Sequence, residues 1–174
     1  MDNKIAAWVK RDAPNNHECD FRTPDYLWHW INSRYGPVEY DGACTPGLNN
    51  LATPLRLEDE WPSGSIIYSN PPYDAASIVK WVEKGFEHAK TGGVHILCLP
   101  NKIGQVFFNK YITRFEEIIF LGGRVDFSSP YAVKNGASMS STIIFIQGCR
   151  PFPGPKVSGY LLRDLKVLYQ GRAK

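Results

Sequence analysis

The clearest hydrophobic run is Val94-His95-Ile96-Leu97-Cys98-Leu99-Pro100, which has no polar face. That is the pattern of a strand in a sheet interior, covered on both sides. Ile66-Ile67-Tyr68, Glu116 to Leu121 and Ser141 to Ile146 read as further strands, and Val38-Glu39-Tyr40-Asp41 as a short one. Between them the period changes. Ala75, Ile78, Val79, Val82, Phe86 and Ala89 share one helical face, with Asp74 placed to cap the start and Gly92-Gly93 to end it. An earlier helix starts at Thr23, a good N-cap, with Pro24 at the first helical position and Asp25 in the first turn. Its face is Leu27, Trp30, Ile31 and Arg34, and Tyr35-Gly36-Pro37 stops it. Lys102 to Phe115 is helical in part, and Lys156 to Gln170 fits a helix or a strand equally.

This order predicts an α/β fold: a mostly parallel sheet, helices on both faces, and an antiparallel end formed by the runs flanking the polar loop Ser128 to Ser138. A loosely held arm over residues 1–20, with a short helix over Met1 to Arg11, precedes a domain over 21–149. Residues 150–174 form a basic extension packed on or flanking it.

Composition changes little. The chain has 174 residues, 43% hydrophobic and 21% charged, enough for one domain with a real core. No repeat, low-complexity tract, leader-like segment or membrane-length run appears, so a soluble cytoplasmic protein is expected. Cys19, Cys44, Cys98 and Cys149 include no close pair of metal-knuckle spacing, so reduced thiols and no metal are expected. Charge is uneven: from Arg150 to Lys174, six Lys or Arg residues against one acid give +5 of a total of +3, leaving −2 elsewhere. Such a tail suits a polyanion partner or is simply a solvated face.

The chemistry gathers at predicted strand ends, where open α/β sheets bind ligands. Asn70-Pro71-Pro72-Tyr73 follows the strand at Ile66. A carboxamide, two prolines without N–H donors and an aromatic ring make a stiff, acceptor-rich corner suited to a flat group bearing an NH₂. As a bare sequence it is also an ordinary turn. Asp41, followed by Gly42-Ala43, could take the hydroxyls or amine of a nucleoside where bare backbone approaches, or be a surface turn. Thr23-Pro24 offers free helix-start N–H groups to an anion, or is only a well-capped surface helix. Pro100-Asn101 ends a third strand. Arg124, Lys134 and the polar loop could touch phosphates or base edges, or form a plain hairpin loop. His95 has no acidic or Cys neighbour in sequence and reads as a strand histidine.

Taken in order, Thr23-Pro24, Asp41 to Ala43, Asn70 to Tyr73, Leu99-Pro100 and Gly123 to Phe127 resemble the amino-methyltransferases that use S-adenosylmethionine. The resemblance is close to the small phage DNA adenine methyltransferases of the Dam type, and covers Phe21 to Ile146. It implies a Rossmann-like methyltransferase domain acting on double-stranded DNA in the cytoplasm, with no membrane or metal partner. It further implies S-adenosylmethionine bound by Thr23, Pro24, Asp41, Gly42, Ala43 and Asn70. Catalysis would fall to Asn70, Pro71, Pro72 and Tyr73, with the Asn70 side-chain oxygen and the Pro71 carbonyl accepting the target amine and Tyr73 stacking on a flipped base. Larger relatives carry a second acidic strand, whereas only Gly42 to Ser69 separates the two motifs here; Glu58 or Asp59 could fill that role. Two other readings stay open: methylation of a glutamine amide in a protein, and a nucleic-acid-binding module whose cofactor site has decayed.

Overall fold

In the computed structural model the described residues are 22–43, 52–101, 106–127, 138–139, 142–148 and 155–172. The expected helix over Met1 to Arg11, Lys134, and Cys19, Cys44 and Cys149 lie outside them. The elements are α1 (Asp25–Tyr35), β1 (Tyr40–Asp41), β2 (Thr53–Pro54), β3 (Ile66–Ser69), α2 (Ala75–Ala89), β4 (Val94–Pro100), α3 (Val106–Tyr111) with a 3₁₀ turn (Ile112–Arg114), β5 (Glu117–Gly122), β6 (Val125–Asp126), β7 (Ser138–Met139), β8 (Thr142–Gln147), β9 (Lys156–Leu161) and α4 (Leu162–Arg172). Seven strands form one sheet in the order β2-β1-β3-β4-β8-β5-β9, and β6 pairs with β7 apart from it. Strands β2, β1, β3 and β4 are mutually parallel, and β9 is parallel to β5. The antiparallel strand is β8, which lies between β4 and β5 and pairs with both. Among the described residues, no helix is long and apolar enough to cross a membrane.

Strand periodicity divides the core in two. Ile67, Leu97, Leu99, Ile118, Ile143 and Phe145 point to the face covered by α2 and α3. Tyr68, Ile96, Cys98, Ile119, Leu121, Ile144 and Ile146 point to the face covered by α1 and α4. Both faces are therefore apolar, and this is why the strands read as continuous apolar runs.

Helix α2 starts as expected, with Asp74 Oδ1 accepting from Ser77 N–H at 2.9 Å. The start of α1 differs from expectation. Pro24 is the N-cap residue, and its carbonyl accepts from Leu27 and Trp28 N–H. Thr23 is not the cap: its side chain turns inward, its hydroxyl 2.9 Å from that of Tyr68. Tyr68 is fully buried, and its hydroxyl needs a partner more than a solvent-facing helix end does. The buried face of α1 is Leu27, Trp28 and Ile31, with Trp30 left edge-on against Tyr160. Lys156 to Gln170 is a strand and then a helix without a linker, since its period switches from two to that of a helix after Leu161.

A polar clamp joins α1, β5 and β9 at the opposite end of the sheet from the strand ends discussed below. Glu117 is nearly buried and accepts from Arg34 Nη2 (2.6 Å), Tyr35 hydroxyl (2.8 Å) and Ser158 hydroxyl (2.6 Å). Burial alone would raise its pKa; the bonds from Ser158, Tyr35 and Arg34 outweigh that and hold the carboxyl below the usual range. A depressed carboxyl stabilises the fold fully above its unfolded pKa of about 4.3 and loses that contribution as pH falls through the folded value. Glu117→Gln is expected to cost about 2 kcal/mol at pH 7, less than a fully buried pair because Arg34 keeps some water. Urea midpoints should show the gap from the unmodified protein narrowing at pH 3, where Glu117 is protonated too.

Candidate active site

Parallel pairing brings the C-terminal ends of β1, β3 and β4 to one edge. Asp41 lies opposite Tyr68 and Ser69 opposite Leu97. Pro100, Thr142 and Leu121 continue the edge across β4, β8 and β5. The structure thus brings Asp41 and Asn70 to neighbouring strand ends, while Arg124 follows β5, three strands from β3 in the sheet order. Arg124 is exposed, its Nε 3.9 Å from the Asp126 carboxylate.

The corner is held from both sides. Ser69 is the last residue of β3 and Asp74 caps α2, so only Asn70 to Tyr73 bridge strand and helix. Two prolines fix φ in that span. Pro71 is buried, Pro72 exposed, and Asn70 and Tyr73 half-buried. The Tyr73 hydroxyl donates to Asn70 Oδ1 at 2.5 Å. The oxygen expected to receive a target amine thus already accepts one proton, and Tyr73 contributes a hydroxyl as well as a ring. A carboxamide oxygen has two lone pairs, so a second acceptor direction remains.

On β1, Asp41 is 2% exposed and Ala43 N–H approaches its Oδ1 at 3.3 Å. The turn after it is tight. Gly42 N–H donates to the Tyr68 carbonyl at 2.7 Å. A Cβ on Gly42 would stand 2.6 Å from Ser69 Oγ and 3.1 Å from Trp81. Only glycine lets the turn's backbone come this close to Ser69 and Trp81. Thr23 is 1% exposed, its hydroxyl engaged with Tyr68, and burial above all raises the Tyr68 pKa well beyond its ordinary value. Pro24 is half-buried beside it.

Glu58 and Asp59 follow β2 and are exposed. Asp59 accepts from Arg56 N–H through its carboxylate at 2.7 Å and from Lys84 Nζ through its carbonyl at 3.0 Å. These bonds hold a turn against α2. A group not singled out from the sequence is the fully buried trio Ser69, His95 and Gln147. Polar residues at interior strand positions are its visible signal.

Residues 10–164 match the model of the DNA N-6-adenine-methyltransferase (Dam) family. The chain belongs to that family. Its matched span includes both the Asp41 turn and the Asn70 corner. No curated protein matched. Among solved structures, the Dam-family chain is similar to a candidate class I S-adenosylmethionine-dependent methyltransferase from Listeria monocytogenes, with 16% identity, 97% of this chain and 74% of the other covered, and a TM-score of 0.52. It is also similar to a candidate RNA methyltransferase from Pyrococcus horikoshii, with 11% identity, 84% and 97% covered, and a TM-score of 0.51. At such identities these likenesses show the Rossmann-like methyltransferase fold alone.

Family and fold together imply use of S-adenosylmethionine, and the buried Asp41 carboxylate at the end of β1 has the acceptor chemistry that the cofactor's nucleoside hydroxyls or amine would require. Gly42→Ala should displace Ser69 or the turn and weaken S-adenosylmethionine binding by roughly tenfold, the effect of a modest overpacking penalty, as read by calorimetry.

Proposed function

We propose that this protein transfers a methyl group from S-adenosylmethionine to the exocyclic amino group of an adenine flipped out of duplex DNA. The observation that carries the reading is the family match spanning a half-buried Asn70 carboxamide at the end of β3, one strand from the buried Asp41 carboxylate. When bound, S-adenosylmethionine supplies an electrophilic methyl group on a sulfonium: the N–C bond forms by direct in-line displacement as the S–C bond breaks, the neutral thioether leaves, and the amine gives up one proton. The protein's part is acceptor placement.

An aromatic amine is a poor nucleophile because its lone pair is delocalised into the ring. Asn70 Oδ1 and the Pro71 carbonyl accept its two N–H groups, draw the nitrogen toward tetrahedral geometry and stabilise its developing positive charge. The Tyr73 ring packs on the flipped base while its hydroxyl steadies Asn70. Asp41 takes the hydroxyls or amine of the cofactor, beside the Gly42 turn, with Pro24 and Ala43 as flanking contacts and Thr23 supporting from beneath. Arg124 and Lys134 reach the phosphates or base edges of DNA. A glutamine-amide substrate would present the same NH₂ chemistry, but the Dam family match favours DNA.

Duplex DNA incubated with methyl-labelled S-adenosylmethionine and digested to nucleosides should yield label in N6-methyl-2′-deoxyadenosine. Label on cytosine, on protein glutamine or nowhere would sink the assignment. Asn70→Ala should lower turnover by on the order of 100- to 1000-fold, as loss of a charge-stabilising group does. Tyr73→Phe, which keeps the ring, should lose much less than Tyr73→Ala; equal losses would show that the hydroxyl bond to Asn70, not stacking, is the residue's contribution.

A further inference from the structure

Three fully buried polar side chains lie under the corner on adjacent strands: Ser69 on β3, His95 on β4 and Gln147 on β8. Gln147 Nε2 donates to the Val82 carbonyl of α2 at 2.8 Å. Its Oε1 is left to accept, so the His95 nitrogen 2.6 Å away, Nδ1, carries the proton. His95 Nε2 then offers only a lone pair, and the Ser69 hydroxyl donates to it at 3.0 Å. The bonds run one way, from Ser69 through His95 and Gln147 into α2. Burial foremost lowers the His95 pKa to about 4, so the ring is neutral at ordinary pH.

Two glycines make room for this relay. A Cβ on Gly85, in the middle of α2, would lie 2.0 Å from Gln147 Oε1 and 2.2 Å from His95 Nδ1. At the other end, Gly42 yields space to Ser69 Oγ. A glycine inside a helix is unfavourable against alanine, and three apolar side chains would fill the same volume without needing partners. What the relay adds is direction: the Ser69 oxygen is pinned against the Asp41–Ala43 turn at the residue preceding Asn70.

We propose that His95, acting through Ser69, is a positioning residue for methyl transfer, fixing the spacing between the Gly42 turn and the Asn70 corner. This rests on the reading of that corner as the methyl-transfer site. His95 touches neither reactant and takes no proton in the reaction.

The test compares Ser69→Ala, His95→Leu and His95→Gln with the unmodified protein. Glutamine can accept from Ser69 with Oε1 and donate to Gln147 with Nε2, so it restores the relay that leucine breaks. The readouts are S-adenosylmethionine affinity by calorimetry, kcat and KM for duplex DNA, the thermal midpoint, and the ¹⁵N signature of His95. Ser69→Ala and His95→Leu should lower kcat and cofactor affinity by about tenfold or more, the scale of a small misplacement of reacting groups, with KM for DNA little changed. His95→Gln should recover most of the loss, and His95 should show a protonated Nδ1 and a bare Nε2. If His95→Leu fails to fold, the comparison of Ser69→Ala with His95→Gln decides. Unchanged kcat and affinity in a folded Ser69→Ala protein, or a protonated Nε2, would overturn the relay while leaving the proposed activity standing. No cofactor binding by the unmodified protein would overturn the activity itself.

Discussion

Pairing of β3 with β4, from Ile66 opposite Val94 to Ser69 opposite Leu97, decides which face and which height every candidate group takes. Alternate strand residues point to opposite faces, so a slip of one residue would exchange Ile67 and Tyr68 between the two halves of the core. Tyr68 would lose Thr23, and Ser69 would lose His95. Buried polar pairs of this kind pin a register more sharply than apolar contacts, because an unpaired hydroxyl in the interior costs far more than a slightly worse packed methyl. From this single register Asn70 emerges at the edge beside Asp41, and α2 begins five residues later with its cap, Asp74, already placed.

What could be read from the sequence was what is local. The apolar run at Val94, the helical face from Ala75 to Ala89 and the Asp74 cap each depend on neighbours within a few positions, and each is found. The corner was legible for the same reason: the prolines act on their own backbone. Misreadings arise where a distant partner outbids a local preference. Thr23 has the chemistry of a cap, but Tyr68, 45 residues away, takes its hydroxyl. Trp28 displaces Trp30 from the buried face because the α1 interface includes the edge of the Tyr68 ring. His95 gives no hint of Gln147, 52 residues on. The bond from Tyr73 to Asn70 spans only three residues, yet the corner's backbone path sets it, not the residue types.

The two halves of the candidate site are built differently. The Asn70 corner is braced by covalent stiffness and by a long helix. The Asp41 turn hangs on a two-residue strand whose hydrogen bonds go to β2 and β3 on either side, with Leu55 N–H bonded to the Asp41 carbonyl. So short a strand depends on its neighbours for position. Gly42 pressing on Ser69 and Trp81 supplies the contact to β3 and α2 that the strand's length does not.

The basic C-terminal segment takes on a different meaning once folded. Its described part is an edge strand and a helix joined to the domain, not an appendage: β9 pairs with β5 along its whole length, and α4 buries Leu162 and Leu165. Several of its cations have partners in the protein. Lys156 Nζ lies 3.8 Å from Glu117, Arg163 pairs with Asp164 at 3.5 Å, and Lys166 lies 5.1 Å from the Tyr26 ring centroid. Such exposed pairs are weak and leave much of the field intact. They nonetheless set this segment's charge around helix α4 and the Glu117 clamp, whereas the proposed chemistry lies on the edge that carries Asn70. Under the proposed function the segment therefore contributes long-range attraction for a polyanion, screened beyond about 8 Å at physiological salt. Under the same proposal, register on the DNA comes from groups on the strand-end edge itself, where Arg124 follows β5.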